Sequence, residues 1–249
     1  MKIIKTTVEH TIVELEGHQI PAKIYRERRR TVRFSLAKRG AILRMPMALQ
    51  LQEQQKEVAL FKDWVRKQVT GKQALQDHFA ERAYRTGDIL QVGNRIYELK
   101  VELTENKTHT AKLTARIIHL QLTKHDTDLH RQKTIRHLLS RIVAQDFQAE
   151  ITNRVIELNR RHFQKPVRSV NLKYNLSNWG SCSTRGNVNL STRLLFAPAE
   201  VIDYVIIHEL SHLVEMNHSD RFWQVVGRAM PDFRQQELWL KKNWQLCDF

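Results

Sequence analysis

His208-Glu209-Leu210-Ser211-His212 brings two imidazoles and a carboxylate together at a spacing that can do chemistry. On a helix, side chains four apart lie one turn above each other, so both imidazoles face the same way. Two neutral imidazoles so placed can hold one Zn²⁺. A glutamate directly after the first ligand can take a proton from an attacking water. Five residues therefore supply two ligands and a general base for metal-assisted hydrolysis. The preceding run, Val201 to Ile207, is apolar and reads as the helix that must carry them, with Pro198 in its first turn. Tyr204 lies one turn before His208 on the same face, as an oxyanion donor or a packing partner of the site.

A catalytic zinc usually takes three protein ligands and keeps one position open. Three residues compete for the third place. His218 lies six residues after His212, beyond an expected helix end at Met216-Asn217, where Asn tolerates the left-handed turn that would bring the chain back. Glu215 shares the face of His212 but sits on the same straight helix, a poor approach to a tetrahedral ion. Glu237, on the last helical stretch, is the long-range alternative. The turn geometry favours His218, since it needs no assumption about distant packing.

The wider pattern is more specific. Asn178-Trp179-Gly180-Ser181-Cys182-Ser183, Leu190-Ser191, Pro198, Ile202-Asp203-Tyr204-Val205, the HExxH residues, Asn217-His218-Ser219 and Phe222-Trp223 together resemble the YgjP-like metallopeptidase family, which is similar to the SprT-like and WLM groups of zincins. The resemblance is strong over residues 170 to 240 and looser in the N-terminal half, through Arg28-Arg29-Arg30 and the strands after them. It implies a zincin-like catalytic domain with His208, His212 and His218 as ligands of one Zn²⁺ and Glu209 as base. One departure is Asn178, where the family usually carries a basic residue. Cys182 has no CxxC partner and reads as a structural loop cysteine.

The elements that must position these residues follow from patterning. Residues 1 to about 47 read as strands: Val32, Phe34 and Leu36 alternate with polar neighbours, and Lys38-Arg39-Gly40 turns the chain into Ala41 to Met45. Residues 50 to 83 read as one helix with an apolar stripe around Leu60 and Trp64. A hairpin turning at Gly93-Asn94 follows, with further strands to about Leu122. Ile135, Leu138, Leu139, Ile142, Val143, Phe147, Ile151, Val155 and Leu158 mark a helix over Asp128 to His162. Val167 to Leu176 and Asn187 to Ser191 read as strands, the second as a sheet edge along which a peptide could be added. No internal repeat shows. The expectation is an α+β chain: a β-rich region with one helix over 1–125, then over 126–249 a zincin-like domain whose HExxH helix packs on a small sheet.

Charge narrows the partners. Forty-one Lys and Arg against 26 Asp and Glu leave +15, which suits polyanions such as nucleic acid or nucleotides. Arg28, Arg29 and Arg30 are the candidate phosphate contacts, unless they form a solvated strand face. No run is long and apolar enough for a membrane span, Met1 to Thr7 lacks a signal-peptide pattern, and two cysteines make no disulfide framework, so a cytoplasmic protein is expected. Three functions fit: a zinc peptidase acting on peptide or protein, a metal hydrolase of a phosphoanhydride such as a nucleoside triphosphate, and a protease recruited by nucleic acid.

Overall fold

The computed structural model describes residues 6–15, 18–37, 39–79 and 83–249. The turn residue Lys38, the N-terminal Met1 to Lys5 and the 80–82 end of the expected helix lie outside the described residues. The chain divides into two compact units, Met1–Arg82 and Ala83–Phe249.

In the first unit, strands β1 (Thr7–Leu15), β2 (His18–Glu27), β3 (Arg33–Ala37) and β4 (Gly40–Pro46) form one sheet in the order β1-β2-β4-β3. The hairpin pairs are antiparallel and β2 runs parallel to β4. Alternation sends Val13, Ile20, Ala22, Ile24, Ala41, Leu43 and Met45 to one buried face. Helix α1 (Leu51–Val69) contributes Phe61, Val65 and Val69 to the same core, and Phe34 packs tilted on Phe61 and Trp64. The expected single helix is two: Gly71, at φ +76°, breaks it before α2 (Gln73–Phe79).

The second unit opens with the same plan. Strands β5 (Ile89–Val92), β6 (Arg95–Thr104), β7 (Thr110–Thr114) and β8 (Ile117–Thr123) pair in the order β5-β6-β8-β7, again with antiparallel hairpins and a parallel central pair. Two residues separate the strands of each hairpin, five separate the hairpins, and four lead into a helix, in both units. β2 and β6, β3 and β7, β4 and β8, and α1 and α3 (Asp128–His162) each start 77 residues apart. The chain thus holds a structural repeat that its sequence does not announce. Equivalent core positions are apolar but different: Val13 and Leu90, Ile20 and Tyr97, Met45 and Leu122.

The helix α3 has 35 residues and spans about 52 Å. Thr127 caps it by accepting the His130 N–H, and Arg160, Arg161 and His162 suit the negative end of its dipole. The stripe read from sequence, Ile135 to Leu158, is buried as expected. One end of α3 covers the β5–β8 sheet. The other meets the helix α4 (Ala199–Ser211) and β9 (Ser169–Lys173), the strand that pairs with β11 (Asn187–Ser191), which β10 (Gly180–Cys182) flanks on its other side. All of these share one core. That common core is why Ala83–Phe249 forms one compact unit: strands β5–β8 bury their apolar face on α3 and stay with it. Helices α5 (Asp220–Ala229) and α6 (Phe233–Asn243) complete the unit. The chain is α+β, with the HExxH helix against a small sheet. No described helix is long and apolar enough to cross a membrane.

Candidate metal centre

α4 carries His208 and Glu209 in its last turn and ends with His212 as its C-cap, earlier than the expected Met216-Asn217. It is tied to α3: Arg154 grips Asp203 of α4 with two nitrogens, at 2.7 and 2.5 Å. Behind it Val201, Val205, Ile206 and Leu210 are buried. The chain then turns and returns His218 just before α5, which Ser219 caps by accepting the Phe222 N–H.

His208, His212 and His218 each offer a ligand atom, and these atoms lie within 4.8 Å of one another. The Nε2 atoms of His208 and His218 are 3.0 Å apart. Two nitrogens on a tetrahedral zinc sit about 3.3 Å apart, so the donors stand close to where an ion would hold them. Nδ1 of His212 lies 3.3 Å from the Glu215 carbonyl oxygen, to which it can donate, leaving Nε2 with its lone pair toward the other two rings. Nδ1 of His208 is buried without a hydrogen-bond partner among the described residues. Burial, then the neighbouring imidazoles, pushes the His208 pKa down to about 4, and burial also lowers that of His212. Both rings are therefore neutral at physiological pH, the form that binds metal. Phe222, fully buried, meets all three rings at 4.7 to 4.9 Å, and Trp223 stacks between His218 and Phe233.

Glu209 is buried, and burial lifts its pKa to about 7. Its carboxylate lies against Gly180, where an added Cβ would sit 2.6 Å from Oε1. Only glycine fits there. Burial and the Glu209 charge push the Cys182 thiol up to about 11, so it is not a thiolate at neutral pH. Tyr204 lies edge-on to His208, its phenol held well above the ordinary range by burial and then by Glu237 and Glu209. Glu237 pairs with Lys241 at 2.6 Å, and Glu215 faces Arg221 at 3.8 Å. Neither joins the cluster of three histidines.

One expectation changes. β11 is the middle strand of the order β10-β11-β9, so the sheet edge beside Glu209 is β10. Arg29 shares Glu27 with Arg44, whereas Arg28 and Arg30 pair with no carboxylate among the described residues; all three are remote in sequence from the histidines. Arg193 escaped the sequence reading. It is fully buried, 3.3 Å from Asp248, and its guanidinium lies 5.3 Å from the centre of the Trp179 ring, beside Gly180. A charged residue directly before the apolar run Leu194-Leu195-Phe196 was the available signal.

A helix-borne pair of imidazoles, a returning third and a buried carboxylate on a small sheet define the metallohydrolase class of site. Residues 30–243 match the YgjP-like metallopeptidase domain, and the chain belongs to that family. It is 26% identical over 92 residues to the UTP pyrophosphatase of Escherichia coli (strain K12), a match over 35% of this chain and 55% of that protein, so the chain spans about half the length of this curated relative. Two solved structures are also similar. The metallopeptidase zymogen abylysin of Pyrococcus abyssi has 23% identity over 37% of this chain and 93% of its own, with a TM-score of 0.34. The zymogen jannalysin of Methanocaldococcus jannaschii has 19% identity over 38% and 96%, also with a TM-score of 0.34.

Proposed function

We propose that this chain is a zinc-dependent peptidase in which His208, His212 and His218 hold one Zn²⁺ and Glu209 is the general base. The observation that carries the reading is the convergence of three imidazoles beside a buried carboxylate. Zinc bound there supplies Lewis acidity to the scissile carbonyl and lowers the pKa of water. Glu209 takes the proton of the attacking water, and its raised pKa suits it to hand that proton on to the leaving amine. Gly180 leaves the carboxylate its room. Tyr204, protonated at neutral pH, packs on His208 and holds that ring in place. A peptide added along β10 would run past Glu209.

A second reading, hydrolysis of a nucleoside triphosphate phosphoanhydride, is favoured by one observation, the relative named for UTP pyrophosphatase activity. The same residues serve it, since metal and base act alike on water attacking phosphorus. The test is one experiment: wild type and Glu209→Gln, matched for zinc content, assayed side by side on a peptide library and on UTP. Peptide cleavage lost in the variant supports the first reading. Only UTP turnover, lost in the variant, replaces it with the second. Zinc content unchanged in His218→Ala but lost in Glu237→Ala would overturn the ligand set.

A further inference from the structure

The repeat separates what the fold needs from what it does not. In the first sheet, α1 covers the face of Ile24 and Leu43, and the opposite face carries a cross-strand row of Val8, Tyr25, Arg44 and Arg33. The next row is His10, Lys23, Ile42 and Ser35. Neighbouring strands lie about 4.8 Å apart, so Arg33 and Arg44 stand directly opposite each other as like charges, an arrangement that costs stability. The Arg44 guanidinium lies 4.3 Å above the Tyr25 ring and is matched by Glu27. Arg28, Arg30 and Arg33 are exposed and pair with no carboxylate among the described residues. Val8 and Ile12 are also exposed on this face. At the equivalent positions 77 residues on, the second sheet has Glu102 for Tyr25, Gln121 for Arg44, Thr110 for Arg33 and Glu105 for Arg28. The same topology forms without the arginines, so folding does not explain them.

We propose that this face and the 28–32 loop are a docking surface for single-stranded nucleic acid. Arg28, Arg30 and Arg33 meet phosphates, and the Tyr25–Arg44 stack with Val8 and Ile12 meets bases. Residues 1–82 hold 17 Lys and Arg against 9 Asp and Glu, the sign of field that gathers a polyanion. A broad sheet face does not enter a duplex groove, whereas splayed bases lie flat on one.

The test is fluorescence anisotropy of the full chain with labelled oligothymidylate of about 20 nucleotides, across a salt series. Arg28→Ser, Arg30→Ser and Arg33→Thr together are expected to weaken binding at least about tenfold, and to flatten the slope of log affinity against log salt by about 2, since each lost phosphate contact removes about 0.7. A charge-matched control in the second unit, Lys112→Ser, Lys165→Ser and Arg185→Ser, is expected to bind as wild type does. No binding by wild type at low salt, an unchanged slope in the triple variant, or an equal loss in the control overturns the proposal. Tighter binding of duplex than of single strand overturns it as well.

Discussion

The two four-stranded sheets share order, strand directions and loop lengths, yet they join their helices by different chemistry. In the first unit the residues at this place are apolar: Ile20 of β2 and Val69 of α1 are both fully buried. The equivalent positions in the second are Tyr97 and Asp146. There the Tyr97 hydroxyl donates to Asp146 at 2.6 Å, Arg116 meets the same oxygen at 2.6 Å, and Arg95 lies 3.1 Å from it while stacking on Phe147. An apolar joint is non-directional, whereas a hydrogen-bonded joint fixes orientation. The directional joint sits on α3, the helix that also holds α4 through Arg154. The permissive joint supports the sheet with the free arginine face. One topology thus serves alignment in one place and display in another.

The largest effect that could break this division of labour lies in the second unit. Gly180→Ala should cut turnover by about 10²-fold or more, since displacing a catalytic group by an ångström has that cost, with zinc content unchanged. The triple arginine variant should leave turnover as it is. If both variants lose activity together, the two regions do not divide the work.

Next in size is the charge buried in the second unit. Asp248→Ala strands Arg193 inside and should cost about 3–5 kcal/mol in denaturant unfolding. A loss under about 1 kcal/mol would mean that Arg193 finds another partner.

The repeat itself can be tested with equivalent leucines. Leu43→Ala and Leu120→Ala each remove a fully buried side chain and should each cost about 2–5 kcal/mol. Only Leu120→Ala, on the core shared with α4, is expected to weaken zinc binding by calorimetry. Equal loss of zinc affinity in Leu43→Ala would show that the units behave as one energetic body.

The smallest effect is a pH dependence. Burial opposes ionisation of Asp146, but the Tyr97 hydroxyl, Arg95 and Arg116 outweigh it and hold the carboxyl below the ordinary carboxylate range. A lowered folded-state pKa means stability that is complete above the unfolded value, about 3.9, and lost as pH falls through the folded one. Stability of the wild type should therefore fall more steeply below about pH 4 than that of Asp146→Asn. Parallel acid limbs for the two proteins would remove Asp146 as the cause.

Local signals carried most of what was legible in the sequence. The α3 stripe, the Gly93-Asn94 hairpin and the His208, Glu209 and His212 spacing depend on neighbours within a turn or a pleat, and the structure has them where patterning puts them. Strand order is long-range. β11 pairs in parallel with β9 and covers its other side with β10, three residues long and too short to read, so its central place was hidden. The partners of β5–β8 are long-range too, since only packing reveals that Leu99, Ile118 and Leu120 belong to the core of α3. The repeat was invisible because its halves share apolar alternation and little identity; Ile24 corresponds to Val101, and Arg44 to Gln121. Gly180 was part of a recognisable motif, but its reason, contact with Glu209, needed coordinates.

The constant step of 77 residues makes the two sheets interchangeable in numbering. Two-, five- and four-residue connections occur in both, so each position from β2 to β4 has a counterpart from β6 to β8. One sheet with its helix has an isoleucine and a valine where the other has a tyrosine and an aspartate, and cations where the other has acids and amides. Residue exchange between equivalent positions is therefore a ready-made experiment, in which each sheet serves as the scaffold control for the other.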